Sequence, residues 1–302
     1  MTKKKITVIG SINMDIVTST NILPKMGETV LGKAFHTIPG GKGANQAVAA
    51  AKLGADVNLI GCVGDDTFGQ VLKQHLKHQG INIENVEPVT ETSTGTASIT
   101  LFEEDNSIIV VPGANYHVTP EYIEKFEEII ANSDVILLQL EIPLVSVEKA
   151  VEIASTHKVP IIINPAPIQP LTKELLSKVD YVTPNEHEQE TLLTSCDWTE
   201  EEKNEIIKKC IVTKGSKGVS ILKGEELQIP SFEVNVVDTT GAGDTFNGAL
   251  AYCLSNGYTL EEACRFANAT AALSVTKFGA QGGMPTLHEV EEFLQQRGEI
   301  DK

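Results

Sequence analysis

The sequence predicts a three-layer α/β fold, in which helices cover both faces of a mainly parallel central sheet and a small β-sheet lid is inserted into that body. Two observations carry this prediction. Short apolar runs alternate with stretches of helical periodicity over most of the 302 residues, as in parallel sheets with crossover helices. Segments about 14–38 and 94–113 break the alternation, because they contain β-branched residues, turns and polar alternation but no helical period.

Six short apolar runs predict the buried strands, because each is bounded by glycine, proline or asparagine. In chain order they cover residues 6–10, 57–63, 135–140, 160–164, 181–184 and 210–213.

Three helices between these strands have recognisable first turns. Thr119 is followed by Pro120 at the first helical position, which predicts a helix that begins there. Its buried face is predicted to consist of Ile123, Phe126 and Ile130. Thr199 and Thr259 each precede a glutamate three residues later, which is the capping-box pattern of a helix start.

The two exceptional segments predict a small sheet inserted into the body. Residues 94–101 and 107–111 have the alternation of a β-hairpin. A sheet of about four or five strands with one apolar face must cover either a ligand or a second subunit. No repeat or long linker divides the chain, so we expect a single domain over residues 1–302 that carries the lid segments 14–38 and 94–113.

The charge balance argues against two classes of partner. The chain has 24 Lys and Arg against 41 Asp and Glu, a formal net charge of −17, so nucleic-acid phosphates and anionic membrane surfaces would repel it. We therefore expect neither nucleic acid nor a membrane as a partner. Only Arg265 and Arg297 are arginines, so bidentate anion clamps are nearly absent. A phosphate group would have to be held by backbone amides, a metal ion and lysine.

The cysteines and the apolar segments indicate a cytoplasmic protein. The five cysteines are scattered and form no CxxC pair, so neither a disulfide framework nor a zinc site is expected. Three lysines near the N-terminus lead into the short apolar stretch 6–9, which is too short for a signal peptide. No stretch approaches the ~18 apolar residues of a membrane span.

A glycine-rich segment is the first candidate for chemistry. Three glycines in four positions, Gly40, Gly41 and Gly43, leave the backbone bare immediately before a predicted helix. Bare amides at a helix N-terminus let an oxygen-rich ligand approach the main chain, and Lys42 and Asn45 would add a positive charge and an amide. The alternative is a glycine-rich connection between the inserted sheet and the body.

A second candidate is the start of a later helix. Its first turn is expected to present the free amides of Gly241, Ala242 and Gly243. With the carboxylate of Asp244 beside them, these amides would place an anion hole next to a potential base. The alternative is an acidic helix cap, because a carboxylate near a helix N-terminus is stabilising without any chemistry.

Three weaker patterns follow other predicted strands. Asn13 and Asp15 follow the first strand, where an α/β sheet places side chains that contact ligands, although an ordinary Asx turn explains them equally well. Asn185 and Glu188 lie one helical turn apart, which suits either outer-sphere contacts with hydrated Mg²⁺ or a charged helix start. Residues 213–218 form a glycine-rich turn that fits either a hairpin or a nucleotide contact.

Taken together and in this order, these segments resemble the PfkB family of carbohydrate kinases. The first family signature is matched by residues 40–45 with Gly54 and Gly64, and the second by residues 238–244. The NxxE element of the family is matched by residues 185–188. The resemblance covers essentially the whole chain.

The resemblance implies an activity and a catalytic base. Segment 13–15, together with the first signature, resembles the family members that phosphorylate ribose. It therefore implies transfer of phosphate from ATP to the 5-hydroxyl of D-ribose, which gives D-ribose 5-phosphate and ADP. Asp244 would accept the proton of that hydroxyl. The anion hole for the transferring group would be formed by the amides of Gly241, Ala242 and Gly243.

The resemblance also implies binding residues for the sugar, for ATP and for two cations. The sugar would be held by Asn13, Met14, Asp15, Gly41, Lys42, Gly43, Ala44, Asn45, Glu141 and Asp244. The ATP would be held by Asn185, Thr213, Lys214, Gly215, Ser216, Lys217, Gly218, Gly243, Asp244 and Asn268. A monovalent cation, K⁺, would be enclosed by Asp238, Thr240, Ser274, Lys277, Gly279 and Gly283, and Mg²⁺ would be held by Glu188 through water. Residue 283 often carries a hydroxyl in the family, and glycine offers no side-chain oxygen to the cation.

The substrate and the assembly have alternatives at this point. A sibling kinase for deoxyribose, fructose or a nucleoside would differ only in a few hydrogen bonds and lid contacts. A different class is a non-catalytic sugar-binding regulator with the same fold, although such a protein could lose Asp244 freely. The apolar face of the lid sheet is too costly to leave in water, and the resemblance agrees with a homodimer through that sheet.

Overall fold

The computed structural model describes residues 3–103 and 105–299. Residue 104 of segment 94–113 and both ends of the expected domain 1–302 lie outside the described residues. The strands within the described ranges are β1 Lys5–Ile9, β2 Asn13–Thr20, β3 Gly32–Gly40, β4 Asp56–Gly64, β5 Val86–Val89, β6 Gly95–Phe102, β7 Asp105–Val111, β8 Val135–Leu138, β9 Ile161–Ile163, β10 Tyr181–Val182, β11 Ile211–Thr213, β12 Val219–Lys223 and β13 Glu225–Ile229.

The helices lie mainly between the strands of the body and after the last strand. They are α1 Lys42–Lys52, α2 Thr67–His78, α3 Pro120–Glu124, α4 Glu127–Ala131, α5 Leu144–Thr156, α6 Lys173–Lys178, α7 Glu186–Thr194, α8 Glu200–Lys209, α9 Ala242–Ser255, α10 Leu260–Ser274, α11 Ala280–Gly283 and α12 Leu287–Gln296, with 3₁₀ turns at Gly113–His117 and Gly215–Lys217. Among the residues described, no helix combines the length and the apolar character needed to cross a membrane.

A six-stranded sheet in the order β10-β9-β8-β1-β4-β5 forms the centre of the fold. Every neighbouring pair in it is parallel, so the predicted α/β class with a parallel central sheet is confirmed. Because the strands are parallel, their carboxyl ends share one edge, which is where open α/β sheets bind ligands.

Helices cover both faces of this sheet. Along β1, Ile6 and Val8 pack into one apolar cluster, which includes residues of α1, α9 and α10. Ile9 packs into a second cluster on the other face, which includes residues of α5 and α6. Burial on both faces explains why the strands appear in the sequence as continuous apolar runs.

The strand predicted over residues 210–213 is present as β11, but it lies outside the central sheet. It pairs antiparallel with β12, and β13 completes a three-stranded sheet. Isolated parallel bridges from Val182 to Cys210 and from Asn185 to Thr213 attach it to the end of β10. The physical reason is local: β12 follows β11 after one short turn, so this antiparallel pairing closes only a small loop.

The sequence predicts one helix that begins at Thr119, but that helix is interrupted in the structure. The prediction of a continuous helix is therefore wrong. The chain forms α3 and α4 with a break at Phe126, whose amide donates to the Ile123 carbonyl three residues earlier at 3.0 Å. The ring of Phe126 packs edge-on against Tyr122, with centroids 5.0 Å apart. Ile123 and Ile130 are buried as predicted, whereas Phe126 is only partly buried.

A four-stranded sheet in the order β3-β2-β6-β7, called here the inserted sheet, is formed by both exceptional segments. β2–β3 and β6–β7 are antiparallel, as the hairpin prediction requires, and β2 pairs parallel with β6. β2 begins at Asn13 and β3 ends at Gly40, and these two residues are paired. The inserted sheet therefore starts where β1 ends and α1 begins. Phe35, Ile108 and Ile109 are exposed on it.

Candidate active site

The candidate site lies where the carboxyl ends of β1 and β8 meet the first turns of α1 and α9. Asp15 lies on β2 just after β1, Glu141 follows β8, and Asp244 lies in the first turn of α9. Lys42 and Asn45 are supplied by α1. These groups are separated by up to about three-quarters of the sequence, and the packing of α1 on β1 and α9 brings them together.

The glycines before α1 are required because main-chain segments touch there. Gly41 has a φ of 88°, a conformation that favours glycine, and a Cβ atom added to it would lie 2.7 Å from the amide nitrogen of Asn13. A Cβ atom at Gly43 would lie 2.5 Å from the carbonyl carbon of Gly10. The start of α1 therefore packs directly on the connection from β1 to β2. The segment is a tight connection, and it also brings a helix N-terminus to the site.

Glu141 caps α1 from a distant part of the chain. Its Oε2 atom accepts hydrogen bonds from Ser11 Oγ at 2.5 Å and from the Lys42 amide at 3.1 Å. Gly41 is the N-cap residue and has no side chain to offer, so the carboxylate of Glu141 takes that place. The helix dipole favours a negative charge there, and this contact fixes Glu141 beside Lys42.

Asp244 is buried, and both of its carboxylate oxygens accept a hydrogen bond. Asn45 Nδ2 donates to Oδ2 at 2.9 Å, and Gln46 Nε2 donates to Oδ1 at 3.0 Å. Both donors lie on α1, so the packing of α1 against α9 sets the orientation of the carboxylate. A carboxylate held in this way can accept a proton from one fixed direction.

Three carboxylates and one ammonium group give the site its electrostatic character. Burial, followed by the negative charges of Glu141 and Asp244, raises the pKa of Asp15 to about 7. Burial alone would lower the pKa of Lys42, but neighbouring carboxylates outweigh burial and raise it. Those carboxylates belong to Asp244, Glu141 and Glu188. At neutral pH Lys42 is therefore cationic, and Asp15 is close to half ionised.

The first turn of α9 offers amides toward open space. Gly241 is the N-cap residue with a φ of 76° in the left-handed region. The amide of Ala242 donates to the Thr239 carbonyl at 3.2 Å, so it is already engaged and does not match the expectation of three free amides. Gly243 and Asp244 lie in the first turn, where N–H groups have no intrahelical acceptor. Gly243 is exposed, and a Cβ atom added to it would meet no heavy atom within 4 Å.

A cavity of about 570 Å³ opens on Asn13 and Glu141. Val110 of the inserted sheet and Tyr116 of the following 3₁₀ turn also line it. Asn13 Oδ1 accepts a hydrogen bond from Asn115 Nδ2 at 2.7 Å, which leaves the amide nitrogen of Asn13 as a donor for a ligand. A cavity of this kind, with a few convergent polar groups, suits a small polar molecule.

Met14 and Ala44 do not face the site with their side chains. Both are buried in the apolar cluster next to α1. Side chains alternate along a strand, so Met14 points away from the face that carries Asn13 and Asp15. The expectation that Met14 and Ala44 hold the sugar therefore stays a prediction, which only their main-chain groups could fulfil.

Two buried glutamines at the site were missed by the sequence analysis. Gln46 contacts Asp244, and Gln139 Nε2 donates to Gln46 Oε1 at 2.6 Å. A signal was present in each case, because Gln46 interrupts the apolar stretch of α1 and Gln139 interrupts the apolar run that ends at Leu140. Polar residues inside otherwise apolar segments are buried only with hydrogen-bond partners.

The expected nucleotide side contains a helix cap and a tight turn. Asn185 Oδ1 accepts from the Glu188 amide and Glu188 Oε2 accepts from the Asn185 amide, both at 2.8 Å, so the pair forms the capping box of α7. This matches the alternative of a charged helix start and leaves Glu188 Oε1 for outer-sphere contacts. Residues 213–218 form the turn after β11, in which Lys214 Nζ lies 2.9 Å from Glu226.

Asn268 fixes the end of β13 next to that turn. It is buried on α10, and its Nδ2 atom donates to the carbonyls of Ile229 and Pro230, both at 3.1 Å. A Cβ atom added to Gly218 would lie 2.1 Å from the Ile229 carbonyl oxygen. The turn, β13 and Asn268 are therefore one packed unit.

The expected cation loop is built around Asp238. Its carboxylate accepts from the amides of Thr240 and Gly279, both at 2.9 Å. Burial would raise the pKa of Asp238, but hydrogen bonds from the Thr240 side chain and from these two amides outweigh burial and lower it. A Cβ atom added to Gly283 would lie 2.1 Å from the Ser274 carbonyl oxygen. This close approach explains the glycine, which brings the main chain of α11 against a carbonyl of the loop.

The donor set of the loop suits a weakly bound cation held by oxygen. Carboxylate and carbonyl oxygens are the ligands that hard cations prefer. The side chain of Lys277 is directed to Glu289, with Nζ 3.2 Å from its carboxylate, so residue 277 could offer the cation only its carbonyl. Within residues 3–103 and 105–299, no three His, Cys, Asp or Glu side chains converge on a metal site.

Comparisons with known proteins agree with this arrangement. A model of the pfkB family carbohydrate kinase matches residues 3–287. The chain is 50% identical over 293 residues to the ribokinase of Bacillus subtilis (strain 168), which covers 96% of this chain and 99% of that protein. It is 39% identical over 300 residues to the deoxyribokinase of Salmonella typhimurium, with 96% and 98% covered. The structure of Arabidopsis thaliana ribokinase complexed with ribose and ATP matches with a TM-score of 0.89 at 35% identity, over 97% of this chain and 99% of that one.

Proposed function

Because this chain belongs to the pfkB family of carbohydrate kinases, we propose that Asp244 and the first turn of α9 perform its phosphoryl transfer. The protein phosphorylates D-ribose with ATP, and the products are D-ribose 5-phosphate and ADP. The observation that carries the catalytic assignment is the position of Asp244, a buried carboxylate held at both oxygens and next to Gly243, an exposed residue in the first helical turn, where amides have no intrahelical acceptor.

Asp244 accepts the proton of the 5-hydroxyl as that oxygen attacks the γ-phosphorus of ATP. A carboxylate is a weak base toward an alcohol, but phosphoryl transfer passes through a loose transition state, and the proton can leave late. Charge on the transferring group is stabilised by amides of the first turn of α9, above all that of Gly243. With two arginines in the chain, these amides and Lys42 carry most of the protein's share of charge neutralisation.

The sugar is held by Asn13 and Glu141, which line the cavity, and by polar groups of β2 and α1 next to these two residues. Asn13 and Asn45 offer amides, and the carboxylates of Asp15 and Glu141 accept hydrogen bonds from hydroxyls. Lys42 offsets the repulsion between these carboxylates. The inserted sheet acts as a lid of a single kinase domain, because Val110 on β7 forms one wall of the cavity.

ATP is the co-substrate, and Mg²⁺ and K⁺ complete the proposed site. When bound, Mg²⁺ would neutralise the phosphates, and Glu188 would contact it through water. The Asp238 carboxylate and carbonyls of the loops near Thr240, Ser274 and Gly279 would hold K⁺. Gly283 has no side-chain oxygen to offer to the cation, so a water molecule would have to supply that ligand.

The lid also pairs with a second copy of the chain. Phe35, Ile108 and Ile109 expose 63%, 52% and 68% of their surface on the inserted sheet, and a sugar could cover only part of this apolar area. The protein works in the cytoplasm, a proposal supported by its five free thiols, which suit a reducing compartment.

The test is ADP release with a panel of sugars and a no-sugar control. We expect release with D-ribose, and a rate at least about tenfold higher than with deoxyribose, because a site built to bind a hydroxyl rejects an analogue that lacks it. Fructose and adenosine should also react at least about tenfold more slowly, because they carry groups that ribose lacks and that the site would have to accommodate. Deoxyribose is the alternative that the comparisons favour, given the deoxyribokinase relative. Sugar binding without any ADP release would instead indicate a non-catalytic regulator.

The catalytic assignment is tested by Asp244→Asn. Turnover should fall by about 10²–10⁴-fold, while sugar and ATP binding stay within about tenfold. The matched control is Asp56→Asn, which removes one exposed carboxylate at the start of β4. Retention of more than about a tenth of the wild-type rate by Asp244→Asn would contradict the assignment.

A further inference from the structure

We infer that Gln46 is a positioning residue for the base, which holds the Asp244 carboxylate in the orientation that proton transfer requires. This inference rests on the proposed function. Gln46 lies on α1, directly after Asn45, and is completely buried. Gln46 has no exposed surface, whereas Asn45 and Asp244 expose 6% and 7% of theirs, so it reaches the reaction only through Asp244.

The amide of Gln46 has one orientation that the surrounding groups permit. Its Nε2 atom donates to Asp244 Oδ1 at 3.0 Å and to Asn164 Oδ1 at 3.2 Å. Its Oε1 atom accepts from Gln139 Nε2 at 2.6 Å. An amide has two N–H donors, and both are used. If the amide were flipped, its oxygen would face the acceptor oxygens of Asp244 and Asn164, so the flipped state is excluded by repulsion.

The partners of Gln46 come from the ends of neighbouring strands. Gln139 follows β8 and Asn164 follows β9, and Asn164 Nδ2 donates to the Thr183 carbonyl just beyond β10 at 3.1 Å. Residues at the ends of three strands of the central sheet therefore hold the Gln46 amide in place, and this amide orients the carboxylate of Asp244. Gly10, at the end of β1, makes room for this arrangement, because a Cβ atom there would lie within van der Waals radii of Gln139 Oε1.

The hydrogen bond from Gln139 to Gln46 is present although another group of Gln139 is left in an unfavourable state. Gln139 Oε1 is buried and has no hydrogen-bond partner among the described residues. Leaving a buried acceptor unpaired is unfavourable, and an apolar side chain at residue 139 would avoid the penalty. The glutamine is explained if its N–H group is needed on Gln46.

Gln46 and Asn45 have different tasks at the carboxylate. Asn45 holds the second oxygen of Asp244, and it is also a proposed contact of the sugar. Gln46 has no access to the sugar, so its donor stays on Asp244 Oδ1 throughout the reaction. Without it, the carboxylate could rotate about its Cβ–Cγ bond, and misorientation of a reacting group lowers the rate more than the binding.

The test is a double-mutant cycle with Gln46→Met and Asp244→Asn, assayed by ribose-dependent ADP release. Methionine has a similar length but no N–H donor. We expect Gln46→Met to lower kcat about 10- to 100-fold and to leave the KM values for ribose and ATP within about threefold. In the Asp244→Asn background, Gln46→Met should cause no further loss beyond about twofold. A merely structural role would lower kcat by the same factor in both backgrounds.

Two more variants keep the outcome interpretable. Gln295→Met replaces an exposed glutamine of α12 and should retain wild-type kcat. Gln46→Leu also lacks an N–H donor, so it should lose at least as much turnover, and it serves if the Met variant does not fold.

The inference is overturned if Gln46→Met retains kcat within about twofold of wild type, or if its loss is equal in both backgrounds. If the wild-type protein releases ADP with ribose and the kcat of Gln46→Met is unchanged, only this inference is overturned. Wild-type protein that releases no ADP with any sugar overturns the proposed function as well.

Discussion

Replacing Asp15 with asparagine should stabilise the free protein at alkaline pH relative to wild type. Asp15 is half-buried on β2, and its carboxylate packs against Gly40, where an added Cβ atom would come too close to its oxygens. Burial and the charges of Glu141 and Asp244 raise its pKa from 3.8 to about 7. The native protein therefore holds this proton more tightly than the unfolded chain does.

The direction of the pH dependence follows from linkage. A carboxyl group whose native pKa is raised contributes stability that is complete below pH 3.8 and is lost as the pH rises through about 7. Between about pH 5 and 8, this loss amounts to roughly 2 kcal/mol of the free energy of unfolding. Asparagine cannot ionise, so Asp15→Asn avoids the loss.

Urea denaturation at pH 5 and pH 8 measures the difference. Trp198, the single tryptophan of the chain, is buried and reports unfolding by fluorescence. The free energy of unfolding of Asp15→Asn minus that of wild type should increase by about 2 kcal/mol from pH 5 to pH 8. For the exposed control Asp56→Asn, the same difference should stay constant within about 0.5 kcal/mol. If the Asp15→Asn difference is constant or decreases with pH, the reasoning is refuted.

Gly283→Ser should lower the free energy of unfolding by about 1–3 kcal/mol, because its Cβ atom would collide with the Ser274 carbonyl oxygen. The control Gly282→Ser has open space around its Cβ atom, so equal stability of the two variants in urea would contradict this prediction. K⁺ should increase turnover more than Na⁺, because a large cation beside Asp238 would order the amides of the α9 first turn. Equal rates in KCl, NaCl and choline chloride at matched ionic strength would show that the loop around Asp238 has only a structural role. The wild-type protein should sediment as a dimer at micromolar concentration and Ile109→Asp as a monomer, since a charge on the apolar face of the inserted sheet opposes pairing. A monomeric wild-type protein would contradict the proposal of a dimer.

Features encoded by neighbouring residues could be predicted from the sequence. The apolar run 57–63 is β4, Asp56–Gly64, because a strand buried on both faces needs only its own residues to show it. The capping boxes at Thr199 and Thr259 are confirmed, with each threonine side chain accepting from the amide three residues later. Both patterns depend on contacts within about one helical turn or one strand.

Features that depend on distant contacts could not be predicted in this way. Nothing near Gln46 in the sequence indicates that its amide meets Asp244, 198 residues away. The break at Phe126 depends on the packing of its ring against Tyr122. Met14 matches a family segment by position, but a match of residues does not state which way a side chain points, and the pleat of β2 turns Met14 into the core.

The hydrogen bonds around Asp244 also affect the stage of folding at which the protein becomes catalytically active. Asn45 donates to Asp244, 199 residues later, and accepts from Gln281, 236 residues later. During synthesis α1 therefore emerges long before the groups that satisfy its amides, and contacts of such long sequence separation form slowly. A nascent chain that ends before α9 contains most of the proposed sugar-binding groups but lacks the proposed base, Asp244. The onset of turnover in a refolding experiment would accordingly report the docking of the C-terminal helices, and it would lag behind the formation of the first strands.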